Sequence, residues 1–241
     1  MNTLIADILK EIDYPNNPYF VNLKNGTFEK QDFIETQIQF YFAVIFFNRP
    51  MMALAAKIPV PELRLETIRN VWEEHGEGDL KKAHGHTFLE FLNRLASVTE
   101  KEVQQRALWP EVRIFNTTLS GVCVLDDFLI GLGVMGIIER MFCDISFMLS
   151  QSIMKNDWLS ENQMIHYNLH KDLDIQHSQE FFDVLSHYWD KNENDVRYYI
   201  EQGLRMGATL FNNFYEGLYK SRKRRLERQF LGSHSRVDGN F

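Results

Sequence analysis

Apolar residues recur at three- and four-residue intervals along almost the whole chain, the spacing that puts them on one face of an α-helix. Read this way, the pattern predicts helices at about 2–13, 28–57, 62–76, 81–97, 101–118, 121–155, 160–190 and 193–230. All six prolines lie at or before Pro110, so the second half should be nearly all helix. The PNNP segment at 15–18 and the pair Asn25-Gly26 mark turns, Pro59 and Pro61 bracket a loop, and Gly131, Gly133 and Gly136 predict a kink. Alternating strand patterns and repeats of about 20–50 residues are not evident. The expectation is an all-α bundle, one domain over 1–230, with 231–241 as a flexible C-terminal tail.

One predicted helix differs from the rest. From Phe40 onward, residues 34–56 are apolar on nearly every face, the mark of a helix buried on all sides. Part of this aromatic surface, at Tyr41 and Phe46, is a candidate wall for a ligand cavity.

Composition narrows the class. With 241 residues, 44% hydrophobic and 24% charged, the chain has ordinary globular proportions and room for one sizeable core. No run approaches the roughly 20 uninterrupted apolar residues of a membrane span. The start, MNTLIADILKEIDY, carries acids where a secretory signal carries lysines, so no membrane association and a cytoplasmic location are expected. Cys123 and Cys143 each sit in apolar sequence, as buried thiols do in a reducing compartment. A net charge of -7 disfavours nucleic acid. The basic cluster KSRKRRLERQ at 220–229 reads as a solvated helix end.

Chemistry concentrates in three places. The word HKDLDIQH sets His170, Asp174 and His177 at i, i+4 and i+7 of a predicted helix. At about 100° per residue these fall within roughly 60° of one another. Two imidazoles and a carboxylate in one small volume suit iron, manganese or zinc. Glu139 lies in GVMGIIERMFCDISFM, an otherwise apolar stretch. A buried carboxylate needs a cation or a metal as partner, and Arg140 points about 100° away. In VWEEHGEGDLKKAHGHTFLEFL, an acidic helix end, a glycine turn and a second helix would join Glu74 to His84, with Glu73, Glu77, His75 and His86 competing for those places.

The spacing of these words resembles that of the haem-oxygenase-like diiron oxidases and oxygenases, including the CADD-like proteins (Chlamydia protein associating with death domains). That family's ligands run Glu, a turn, His, a lone Glu on a central helix, then a His-x-x-x-Asp-x-x-His word. Glu74, His84, Glu139, His170, Asp174 and His177 fill those positions in order, over a resemblance spanning about residues 30–220. Some members add a carboxylate from the preceding helix, where this chain has FFNRPMM and Asn48 instead. The resemblance implies a seven-helix bundle of the TenA/PqqC/CADD-like type, commonly a homodimer. It implies two ferrous ions (alternatively manganese or a single iron) that activate dioxygen against a small substrate, amino-acid- or fatty-acid-like.

Other readings fit less of the sequence. Ferritin-like sites need two Glu-x-x-His words, which are missing here, and no histidine precedes His75 to serve a haem on the first long helix. A thiaminase-like hydrolase would use Cys143, one turn from Glu139, as nucleophile. A non-enzymatic helical interaction protein of the CADD type would need no metal. His166 reads as peripheral to the ligand set or as a support behind it, His187 and His234 as solvated, and Asp126 and Asp127 as capping or pairing residues.

Overall fold

A computed structural model of the chain describes residues 1–228, with the backbone alone at residue 165 and residues 168–174. The tail expected at 231–241, and His234 within it, lie outside the described residues. Ten α-helices occur among those described: α1 (Asn2–Ile12), α2 (Pro18–Lys24), α3 (Lys30–Lys57), α4 (Pro61–Glu74), α5 (His84–Ala96), α6 (Glu100–Gln105), α7 (Pro110–Leu125), α8 (Phe128–Lys155), α9 (Ile165–Trp189) and α10 (Asn194–Ser221). No strand was expected, and one isolated antiparallel bridge, Arg106 to Glu227, is the β-structure among the described residues.

The core is built around α8, buried on nearly every face from Leu129 to Phe142. It packs mainly against α9 and α10. The three glycines expected to kink α8 instead leave it continuous and let its neighbours approach. A Cβ at Gly133 would stand 2.9 Å from the Leu204 nitrogen on α10, and one at Gly136 would stand 2.9 Å from Phe181 Cβ on α9. Backbone packs on backbone at Gly133 and phenylalanine side chains pack on backbone at Gly136, so neither position has room for a side chain.

α3 is the second central element, and it carries Glu35, Thr36, Gln37 and Gln39 into the interior with almost no exposure. Buried polar groups must be satisfied, and most of these are. Tyr19 shares a 2.8 Å hydrogen bond with Thr36, Gln37 donates to the Tyr19 hydroxyl at 2.7 Å, and Tyr167 donates to Gln37. Gln39 donates to the Ala107 carbonyl and accepts from the Trp109 amide, at 3.0 and 2.9 Å. That pair of bonds fixes the extended link between α6 and α7, where a single helix over 101–118 was expected. Among the described residues α3 is the one helix long and apolar enough to cross a membrane, and half of that stretch is buried inside the bundle.

The basic cluster is not a solvated helix end. After α10 the chain turns back along the bundle, and its arginines find acids: Arg225 donates to Asp32 at 2.6 Å and Arg224 to Glu111 at 3.0 Å. Arg106 and Arg225 both approach buried Glu35, at 3.3 and 3.8 Å. The last turn plus the Arg106–Glu227 bridge therefore forms a clasp over the N-terminal end of α3.

Candidate metal centre

α4 is built inside out. The residues it buries are Thr67, Asn70 and Glu74, all polar, while Leu65, Ile68 and Trp72 are exposed. A helix that turns its polar stripe inward must meet polar partners there. Asn70 is 1% exposed, and its amide oxygen and nitrogen have no hydrogen-bond partner among the described residues.

The turn after α4 explains why Glu74 meets His84. Gly76 has a φ of +66°, and a Cβ there would stand 2.5 Å from the Ala83 nitrogen. Only glycine lets the chain double back so tightly. α5 then begins at His84, whose Nδ1 lies 2.8 Å from Glu74 Oε1, both side chains nearly inaccessible. Of the competing residues, Glu77 and His86 are exposed, His75 bonds the Val71 carbonyl, and Glu73 is engaged elsewhere.

Glu74 and His84 line a cavity of about 50 Å3 with Glu139 of α8 and His166 of α9. The rest of its wall is Phe40, Ala43, Val44 and Phe47 of α3, Phe115 of α7, Ile138 and Phe142 of α8, and Phe211 of α10. The wall expected at Tyr41 and Phe46 thus falls on their neighbours Phe40 and Phe47, and the burial-raised Tyr41 phenol packs against Phe42 and Phe88. Glu139 is 4% exposed. Neither lysine nor arginine occurs among the described lining residues, and Arg140 turns away to Asp144 at 2.9 Å. Cys143 is not in the wall, and its neighbours include Tyr14 and Arg140.

His166, expected beside the ligand set rather than in it, lines the cavity wall. The Thr87 hydroxyl donates to the His84 carbonyl and stands 3.0 Å from His166 Nδ1. A hydroxyl has one proton to give, so His166 donates from Nδ1 in this contact. His177, 0% exposed, has its Nε2 2.5 Å from Glu73 Oε2. The side chains of His170 and Asp174 lie outside the described residues. Asp127 caps α8 through the Leu129 amide, and His187 is exposed.

The sequence matches a haem-oxygenase-like family described as iron-containing redox enzymes over residues 35–211. The chain belongs to that family. No curated protein matches it. Among solved structures, a CADD-like protein of unknown function from Nostoc punctiforme superposes with TM-score 0.73 at 14% identity, covering 92% of this chain and 97% of that one. A TenA homologue from Pseudomonas syringae gives 0.73 at 12% identity, covering 91% and 92%. A domain of unknown function with a haem-oxygenase-like fold from Shewanella denitrificans gives 0.72 at 14%, covering 92% and 90%. At such identities these neighbours show the fold: an all-α, single-domain, haem-oxygenase-like bundle.

Membership in an iron-containing redox enzyme family raises the question of fit. Glu74, Glu139, His84 and His166 supply carboxylate and imidazole around one buried cavity, the ligand types iron takes. Among the described residues no group of three such donors is close enough to hold an ion by itself. The donor chemistry nonetheless fits: two buried carboxylates and two imidazoles line one cavity.

Proposed function

We propose that the protein is a non-haem diiron oxidase or oxygenase, acting with dioxygen on a small organic molecule whose bulk is apolar. The observation that carries this reading is the burial of Glu74 and Glu139 beside His84 in a cavity otherwise walled by phenylalanine and aliphatic residues. Glu74, His84, Glu139, His170, Asp174 and His177 would hold the metal. Bound ferrous iron would supply the electrons that reduce dioxygen.

The chain's own residues set what can react. Three carboxylates offset most of the charge of two divalent ions, and three imidazoles complete the donors while leaving room for substrate. Phe40, Phe47, Phe115, Phe142 and Phe211 exclude water and receive apolar substrate surface. The described wall offers no cation to pair with a substrate carboxylate and no hydroxyl or amide side chain to read a polar group. That composition favours a fatty-acid-like substrate, its acid group turned toward the metal ligands, over an amino-acid-like one. His166 is held at the wall through its Nδ1 contact with the Thr87 hydroxyl.

Anaerobic titration of the purified chain with ferrous iron tests the reading. The expected uptake is about two ions per chain, followed by a change in the absorption spectrum when oxygen is admitted. Titration with manganese in parallel compares the two metals, and no stoichiometric uptake of either overturns the assignment. A subsequent oxygen-consumption screen should favour alkyl and aryl carboxylic acids over free amino acids.

A further inference from the structure

Beyond the metal ligands themselves, one contact at the α4–α9 interface has a carboxylate where an iron-binding histidine needs an anchor. α8 and α9 run antiparallel, joined by the short connection at 156–164. Gly136 abuts Phe181 and Phe182. From that contact, Glu139 is three residues onward in α8 and His177 four residues back in α9, which in an antiparallel pair sets both on the same side of it. His177 is fully buried there, and its Nε2 reaches across to Glu73 on α4 at 2.5 Å. A carboxylate can only accept, so Nε2 carries the proton in this contact.

We propose that Glu73 is a positioning residue for the metal centre: its carboxylate holds the Nε2 hydrogen of His177, so that the ring presents Nδ1 to the metal beside Glu139. This role rests on the metal-centre reading above. A ligating imidazole whose second nitrogen is held by a carboxylate has its tautomer and ring plane fixed and its basicity raised. Glu73 suits that task better than its neighbour Glu74 does. Its side chain retains 17% exposure and keeps part of its hydration, whereas Glu74 is directed at His84 and the cavity. Adjacent glutamates at the end of α4 thereby take two jobs, about 100° apart around the helix. Gln176 belongs to a different contact, donating to Glu180 at 2.9 Å, so it does not compete for the His177 ring.

The test compares the intact wild-type chain with Glu73→Ala and Glu73→Gln by equilibrium dialysis against ferrous iron under anaerobic conditions. Far-UV circular dichroism checks that each variant is folded. Glu73→Ala should weaken binding of at least one iron by about 10–100-fold. Glu73→Gln, whose side-chain oxygen still accepts from Nε2, should recover most of that loss. A merely structural contact would leave iron affinity unmoved in all three chains. If wild type binds iron and Glu73→Ala binds it equally well, the positioning role is wrong while the metal centre stands. If wild type binds none, the metal centre itself fails, and this role with it.

Discussion

The bundle buries carboxylates in two regions, and they are compensated differently. At the clasp end, Glu35 is inaccessible but has Arg106 and Arg225 within 3.8 Å, both partly exposed. Burial still pushes the Glu35 carboxyl above the usual range, with the two guanidiniums working against it. At the cavity end, Glu74 and Glu139 are equally buried, yet the described wall contains imidazoles and no lysine or arginine. Arginine supplies a permanent charge that closes a structural ion pair. Imidazole carries a charge only when protonated, and when neutral it can serve as a metal ligand. The same cost of burying charge is met at one end by guanidiniums, whereas at the other the carboxylates face imidazoles, with bound iron as the proposed compensating cation.

That contrast can be broken most forcefully by adding metal. Ferrous iron at about 1,000 times its Kd should stabilise the wild-type chain by about 4 kcal/mol. For a chain of this size that is a Tm rise of roughly 8–16 °C under anaerobic conditions. Glu139→Ala should abolish the rise. Glu35→Ala should preserve it while costing about 1–3 kcal/mol in the metal-free state, because Arg106 and Arg225 lose a buried partner. A metal response lost with Glu35, or kept without Glu139, would erase the distinction between the ends. Arg224→Ala, which removes a partly exposed bond to Glu111, should cost about 0.2–1 kcal/mol by denaturant unfolding and leave iron binding alone.

A pH series gives the smallest effect. Glu35 holds its proton more tightly folded than unfolded. Its contribution to stability is therefore present at low pH and declines as pH rises through its raised value. Glu35→Gln keeps the shape without the titration. Its stability relative to wild type should improve as pH climbs above the ordinary glutamate range, as read from urea midpoints. Parallel curves for the two chains would mean that the arginines fully offset the burial.

Much of this architecture is legible in the chain, and the exceptions have physical causes. The long helices and their buried faces follow from apolar spacing, because one residue of shift moves a side chain by about 100°. That same sensitivity explains why the cavity wall lies at Phe40 and Phe47 rather than Tyr41 and Phe46. Where every face is apolar, periodicity carries no phase. α2 was hidden by the PNNP segment, read as a turn, although Pro18 is its first residue and Asn17 caps it through the Tyr19 amide. The break at 106–109 had a signal in Pro110, since the residue before proline is pushed out of helical geometry.

Glycine left the largest ambiguity. Gly133 and Gly136 in one helix can mean a bend or a close neighbour, and only the partner decides. Gly203 and Gly207 of α10, packed on Ile130 and Val134, show that it is a neighbour. At the site, Glu74 rather than Glu77 faces inward because Gly76 ends the helix between them. Glu73 shows no signal of its own role in the sequence, since its link to His177 joins residues 104 positions apart. The clasp was misread for a related reason: Asp32, Glu35 and Glu111, which bind its arginines, lie more than a hundred positions upstream.

The most direct test of the whole account is a crystal of the chain grown and loaded with ferrous iron without oxygen, measured on both sides of the iron absorption edge. The account predicts two anomalous peaks within bonding distance of Glu74, His84 and Glu139, with His177 facing them through Nδ1. Peaks confined to the surface or to the Glu35 clasp, or none at all in fully loaded crystals, would contradict it.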